Sequence, residues 1–161
     1  MSAQNHLYRI VRTVHGATRR LLDDVTEEES LVTVPGCPNH IRWLAGHLVT
    51  GTAMALAAAG APVELPAGWP ALFERGAPVA ADAGSFPPMR EIRDRLYADH
   101  ARLQDALRRA KPEELERENE IQPGWKQNAT DAVHFFTVHE FYHAGQIAMV
   151  RRALGRAGAF G

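Results

Sequence analysis

The sequence predicts an all-α protein built on four long helices that are joined by long crossover loops. Four segments carry apolar residues every three or four positions, and none shows the sustained alternation of a half-buried strand. Proline and glycine are concentrated between these segments, where they interrupt regular structure. The chain has 161 residues, 45% of them hydrophobic, which suits one globular domain spanning residues 1–161.

The four predicted helices have recognisable ends. Asn39, Ser85 and Asn128 are predicted N-caps, because such side chains accept hydrogen bonds from the first free N–H groups of a helix. Gly155 is predicted to close the last helix in the left-handed conformation. The predicted helices cover about residues 3–24, 39–59, 87–110 and 129–154.

The two longest connections cover residues 60–86 and 111–127. Each is expected to hold a short helical turn, near residues 69–75 and 112–116. Long crossovers allow consecutive helices to run parallel, so the order of the helices around the bundle stays open.

The charge balance and the cysteine count limit the classes of partner. The chain has 18 Lys and Arg against 19 Asp and Glu, so nothing favours a nucleic acid or an anionic membrane surface. The single cysteine, Cys37, excludes an internal disulfide and suits a reducing compartment. The first residues lack the basic start and apolar run of a signal peptide, and Pro62 interrupts the uncharged stretch 43–63. We therefore expect a cytoplasmic protein with no membrane and no nucleic-acid partner.

The strongest chemical signal is the string His-Glu-Phe-Tyr-His in the fourth predicted helix. His139 and His143 are four residues apart, so both imidazoles lie on one helical face and can reach a single cation. The string also matches the H-E-x-x-H pattern of zinc proteases, in which the glutamate is the general base. Those enzymes take a third ligand from downstream, and no His, Glu, Asp or Cys follows His143. A third ligand is therefore expected from upstream, which disfavours the protease interpretation.

His47 is the best upstream candidate for that third ligand. It lies mid-helix among apolar and small residues, where it can face the interior of a bundle. A lone histidine there is more often a core residue with one hydrogen bond, and that alternative stays open. His40 shares nearly the same face and can line the same cavity, whereas His134 is expected to be peripheral. His15 and His100 lie on or beside apolar stripes and are expected to be core residues, with a role as fourth ligand or substrate contact as the alternative.

Glu140 is the candidate catalytic residue. It follows a predicted ligand by one position, so it points about 100° away from that ligand around the helix. It can act as a base on bound water, orient a histidine, or form a hydrogen bond to another helix. Tyr142 and Gln146 are further polar groups near the same site.

Three stretches resemble the DinB/YfiT-like superfamily of small bacterial metalloproteins. The motif of its second helix resembles residues 39–48, which read Asn-His-Ile-Arg-Trp-Leu-Ala-Gly-His-Leu. Residues 139–147, His-Glu-Phe-Tyr-His-Ala-Gly-Gln-Ile, resemble the motif of its last helix. Residues 68–76 resemble its intervening loop, and the order and length of the helices match over nearly the whole chain.

The resemblance implies a four-helix bundle with a three-histidine metal site. On the matching positions the ligands are His47, His139 and His143. It also implies frequent homodimerisation, and known relatives include transferases and isomerases that act with low-molecular-weight thiols.

A three-histidine site is typical of catalysis, because it leaves coordination positions open. Imidazole ligands suit a divalent transition metal: zinc or nickel first, with iron or copper as further options. We predict a metal-dependent enzyme of transferase or hydrolase type that activates a thiol or water nucleophile. Its cosubstrate would be a low-molecular-weight thiol and its second substrate a small molecule of unknown identity. The alternative is a non-enzymatic, metal-stabilised helical dimer or stress-associated binding module.

Overall fold

Four long helices form a bundle, as predicted. The computed structural model describes residues 3–77, 79 and 83–160. The long helices are α1 (Ala3–Leu22), α2 (Ile41–Ala58), α4 (Met89–Arg109) and α6 (Ala129–Ala153). The connections contain the short helices α3 (Trp69–Phe73) and α5 (Pro112–Leu115), and a hairpin of β1 (Glu118–Gln122) and β2 (Trp125–Asn128). The mostly helical architecture confirms the all-α prediction.

The long helices occupy the corners of a square. Helix α2 packs against α4 and α6, and α1 packs against the same two helices, so α1 is diagonal to α2 and α4 is diagonal to α6. This order requires crossovers, and the long connections supply them. As a result, α6 faces α2 on one side and α1 on the other, with α4 across the centre of the bundle.

Helix α2 is the most deeply buried long helix because its residues are apolar or small. Its one charged residue, Arg42, is buried and pairs with Glu27 at 2.6 Å. His47 lies midway along α2. On one side of it Trp43 and Leu44 belong to one apolar cluster of the core, and on the other Leu56 belongs to a second.

The N-cap of α2 is His40, where Asn39 was predicted. The helix begins at Ile41, and the Nδ1 atom of His40 accepts a hydrogen bond from the backbone N–H of Trp43 at 3.0 Å. The imidazole thus does what a capping amide does, from one position further along the chain.

The prediction for α6 is confirmed and that for α4 is wrong at its start. Asn128 caps α6 by accepting from the N–H of Asp131 at 2.7 Å. Helix α4 begins at Met89 with Pro88 in the cap position, so Ser85 is not its cap. Two consecutive prolines explain the later start, because the residue before a proline avoids helical backbone angles.

The hairpin was not predicted, because residues 111–127 were expected to hold only a helical turn. Helix α5 is that turn, and β1 and β2 then pair antiparallel with an irregular register between Glu120 and Gln122. The strands are short and polar, so no alternation marks them in the sequence. Among the described helices, none has the length and apolar character needed to cross a bilayer.

Candidate metal centre

Three histidines from two helices converge between α2 and α6. The Nε2 atom of His139 lies 3.2 Å from Nε2 of His47 and 3.0 Å from Nε2 of His143. His47 and His139 are 92 residues apart in the sequence. The structure therefore brings together the three histidines singled out in the sequence, as a group that could hold a metal ion.

Helices α2 and α6 pack closely enough for their histidines to meet. Gly51 faces His139, and a Cβ atom added to Gly51 would lie 3.5 Å from Nδ1 of that histidine. A methyl group there would make ordinary van der Waals contact with the ring, so only a side chain larger than alanine would displace it. The small residues of α2 thus let the imidazole lie directly against its backbone.

A backbone carbonyl orients His47. Helix α3 ends at Phe73, and carbonyl groups in the last turn of a helix lack partners within the helix. The Phe73 oxygen lies 2.7 Å from Nδ1 of His47. A carbonyl can only accept a hydrogen bond, so Nδ1 carries the proton and Nε2 presents its lone pair to the cluster.

A side chain orients His143 in the same way. Its Nδ1 atom lies 2.6 Å from Oε1 of Gln146, one helical turn further along α6. The amide oxygen is again an acceptor, which assigns the proton to Nδ1 and the lone pair to Nε2. Gln146, one of the predicted polar groups, thus orients a predicted ligand through a hydrogen bond.

The donor set fits a divalent transition metal. Two Nε2 lone pairs point at His139, whose own Nε2 can donate to one of them only. A cation among the three nitrogens satisfies all of them. Tetrahedral ligands about 2.0–2.1 Å from zinc stand roughly 3.4 Å apart, close to the spacing found here.

His139 and His143 are neutral at physiological pH, as metal ligands must be. Burial and the neighbouring His143 and His47 lower the pKa of His139 to about 4. Burial also lowers the pKa of His143. At these two positions protons therefore do not compete with a metal ion near pH 7.

Aromatic side chains border the cluster. The Trp43 ring stacks on His47 at 4.9 Å between centroids. Phe135 and Tyr142 are about half exposed or more, and their rings lie 6.3 Å from His139 and 5.1 Å from His143. The side of the cluster nearest solvent thus has an apolar border.

The Glu140 carboxylate lies in a second, buried cluster. Thr18 donates to Oε1 at 2.6 Å, and the Nε2 atoms of His100 and His15 lie 3.3 Å and 3.6 Å from Oε2. These partners come from α1 and α4. Sequence reasoning assigned both histidines to the core, and their positions on or beside the apolar stripes were the available signal.

Burial and polar contacts set the protonation states in this second cluster. Burial and the adjacent His100 lower the pKa of His15 to about 3, so His15 is neutral. Burial alone raises the pKa of Glu140, but His100, His15 and the Thr18 hydroxyl outweigh it and hold the pKa below its usual value. The carboxylate is therefore ionised inside the bundle.

This second cluster has the composition of a metal site but not the geometry. His15, His100 and Glu140 are close enough to one another to hold an ion. However, the two imidazole rings are stacked, 3.6 Å apart and within 8° of parallel. An imidazole nitrogen binds a metal in the plane of its ring, and one ion cannot lie in two parallel planes at that separation.

The remaining predicted histidines lie outside both clusters. His40 is buried at the start of α2, with its ring 5.0 Å from that of Phe86. It therefore caps a helix, whereas the sequence left it as a candidate for the cavity. His134 is exposed on α6, as expected of a peripheral residue.

Comparison with known proteins identifies the family. A search of curated proteins finds no match to the chain. A sequence profile of the DinB superfamily matches residues 11–147, a range that contains all three histidines of the candidate metal centre. Most of the chain is covered by this match, and the protein belongs to the DinB superfamily.

Proposed function

We propose that the protein is a metal-dependent enzyme of transferase or hydrolase type that activates a thiol or water nucleophile. The ligands would be His47, His139 and His143. The observation that carries the proposal is the convergence of their Nε2 atoms. Hydrogen bonds from Nδ1 fix the tautomers of two of the three rings, His47 and His143. Membership of a superfamily known for metal binding supports it.

The chain's own residues would hold the ion and leave part of its surface open. Imidazole ligands suit zinc, nickel, iron and copper alike, and we propose zinc or nickel first, with iron or copper as further options. A divalent ion held there lowers the pKa of a bound thiol or water and polarises a carbonyl group. The Phe73 carbonyl and Gln146 keep two ligand rings in place, while Phe135 and Tyr142 limit access of water from the exposed side.

Single substitutions of the three histidines test the site. His47→Ala, His139→Ala and His143→Ala should each reduce the bound metal to trace amounts, measured by elemental analysis of protein purified without added metal. His134→Ala, an exposed histidine on the same helix, is the matched control and should keep its metal. Full metal content in all three variants would overturn the assignment.

A non-enzymatic role is the second candidate, namely a metal-stabilised homodimer or stress-associated binding module in the cytoplasm. The observation that favours it is a stripe of exposed apolar side chains on α6, since such patches mark interaction surfaces. These side chains are Phe135, Val138, Phe141, Tyr142 and Met149.

A panel of low-molecular-weight thiols, each with electrophilic acceptors, separates the two roles. Turnover that requires both the metal and His47 supports the enzyme. Absence of turnover supports the module if the metal greatly stabilises the fold and light scattering shows a dimer. Phe141→Glu, which places a charge within the stripe, should dissociate that dimer.

A further inference from the structure

The Glu140 carboxylate is buried inside the bundle and is held by polar contacts. Glu140 is 4% exposed, and its carboxylate accepts a hydrogen bond from Thr18 at 2.6 Å. His15 and His100 approach its second oxygen, and Gln104 lies 3.0 Å from Nδ1 of His15 on the far side of that ring. A buried carboxylate with this many polar neighbours has little freedom to change direction.

The cluster joins the helices that carry no metal ligands to the helix that carries two. Thr18 and His15 belong to α1, and His100 belongs to α4, which is diagonal to α6. Helix α2, which supplies His47, contributes no residue to this cluster. The carboxylate thus holds α6 from a different side, about 100° around the helix from His139 and about 60° from His143.

Holding Glu140 fixes the rotation of α6 about its own axis. His139 and His143 lie one residue before and three residues after it, so their directions follow from its direction. An Nε2 atom lies roughly 7 Å from the helix axis, and a 20° rotation would move it by about 2 Å. A metal site tolerates about 0.2 Å in its ligand distances, so even a small rotation would weaken it.

We propose, on the basis of the proposed metal site, that Glu140 is a positioning residue that sets the rotation of α6 so that His139 and His143 meet His47. The metal centre then depends on three residues that do not contact the Nε2 atoms of the proposed ligands. These residues, Thr18, His15 and His100, hold the Glu140 carboxylate in place. In this proposal the cluster of Glu140, Thr18, His15 and His100 orients α6 and does not bind an ion itself.

Cobalt(II) is the probe for this proposal, because its visible absorption reports coordination geometry. Thr18→Val removes one hydrogen bond to Glu140 and keeps the shape of the side chain. It should lower Co(II) affinity by roughly 10–100-fold and shift the absorption bands, as loss of outer support does in metal sites. Thr18→Ser restores the hydroxyl and should restore both properties. Glu140→Gln should act like Thr18→Val.

The matched control is Thr52→Val. Thr52 is buried on α2, and its hydroxyl donates only to the Leu48 carbonyl of its own helix, at 2.8 Å. This variant should lose stability while keeping the Co(II) spectrum of the wild type. If Thr52→Val lost as much Co(II) affinity as Thr18→Val, general destabilisation would explain the loss in both variants. That result would overturn the proposal.

The outcomes separate this inference from the proposed function. If wild-type protein binds no Co(II), or binds it equally well with His47→Ala, the metal site fails and the inference fails with it. If binding requires His47 but Thr18→Val keeps wild-type affinity and spectrum, the positioning role alone is overturned. Should Glu140→Gln fail to fold, the comparison of Thr18→Val with Thr18→Ser decides.

Discussion

At the scale of single residues, the position of the proton on each imidazole determines whether its Nε2 atom can bind a metal ion. A proton on Nδ1 leaves the lone pair of Nε2 free. His47 and His143 each donate from Nδ1 to an oxygen, so each offers a lone pair from Nε2. One partner belongs to the main chain and the other to Gln146. The two ligands therefore respond differently to substitution.

Gln146→Leu should weaken metal binding by roughly 10–100-fold, because the Nδ1–H of His143 loses its acceptor and the ring loses its orientation. Competition with a chromophoric chelator measures the affinity. Met149→Leu, further along α6 and exposed, is the control and should bind like the wild type. An unchanged affinity in Gln146→Leu would show that the hydrogen bond does not support the ligand.

The stability of the fold should fall as the pH is lowered from about 6.5 towards 3. The pKa of His15 is about 3 in the folded protein and 6.5 for an ordinary histidine, so only the unfolded chain takes up this proton in that range. Uptake by the unfolded chain favours unfolding. The lowered pKa of Glu140 acts in the same direction below its ordinary value of 4.5.

His15→Gln tests this dependence. The free energy of unfolding in urea, measured at pH 7 and pH 4.5, should drop less in this variant than in the wild type. His6→Gln, at an exposed position on the same helix, should retain the full drop. Equal losses in His15→Gln and the wild type would mean that His15 is protonated inside the bundle.

At the scale of helices and strands, the features that depend on local sequence could be predicted and those that depend on packing could not. The four long helices and the i, i+4 pair of His139 and His143 follow from spacing along one segment. His47 was a candidate from its position and became a predicted ligand through the family resemblance. The partners of Glu140 depend on the rotation of α1 and α4 within the bundle, which no local pattern specifies.

Gly46 makes a contact between elements that a single methyl group should disrupt. A Cβ atom added to Gly46 would overlap the ring of Phe73, which is fully buried. Gly46→Ala should lower the free energy of unfolding by about 1–3 kcal/mol. It should also lower metal affinity, because displacement of Phe73 moves the carbonyl that orients His47.

Gly16→Ala is the control for this effect. A Cβ atom at Gly16, within α1, meets nothing within 4 Å. Alanine should therefore stabilise the protein by about 0.5–1 kcal/mol through its better helix propensity. Thermal unfolding of both variants compares them, and equal effects would contradict the packing of α3 on α2.

At the scale of the whole molecule, the proposed metal site joins distant parts of the chain. Its ligands come from α2 and α6, and the unfolded chain has no preformed site. Metal binding is thus coupled to folding, and an ion that binds only the folded state stabilises it.

Added zinc should raise the melting temperature. A free concentration about 100 times the Kd contributes about 2.7 kcal/mol, which corresponds to about 5–10 °C for a domain of this size. Differential scanning fluorimetry measures the shift, which should vanish in His47→Ala. An equal shift in that variant would place the zinc elsewhere on the protein.

The Phe73 carbonyl that holds His47 belongs to the main chain, so every amino acid at position 73 would supply it. With His47 in place, a substitution can remove this hydrogen bond only by moving the short helix that carries the carbonyl. Gln146, in contrast, can be exchanged by one codon for another acceptor or for none. Evolution or protein engineering that retunes metal preference should therefore act on the α6 half, while the α2 half stays constant.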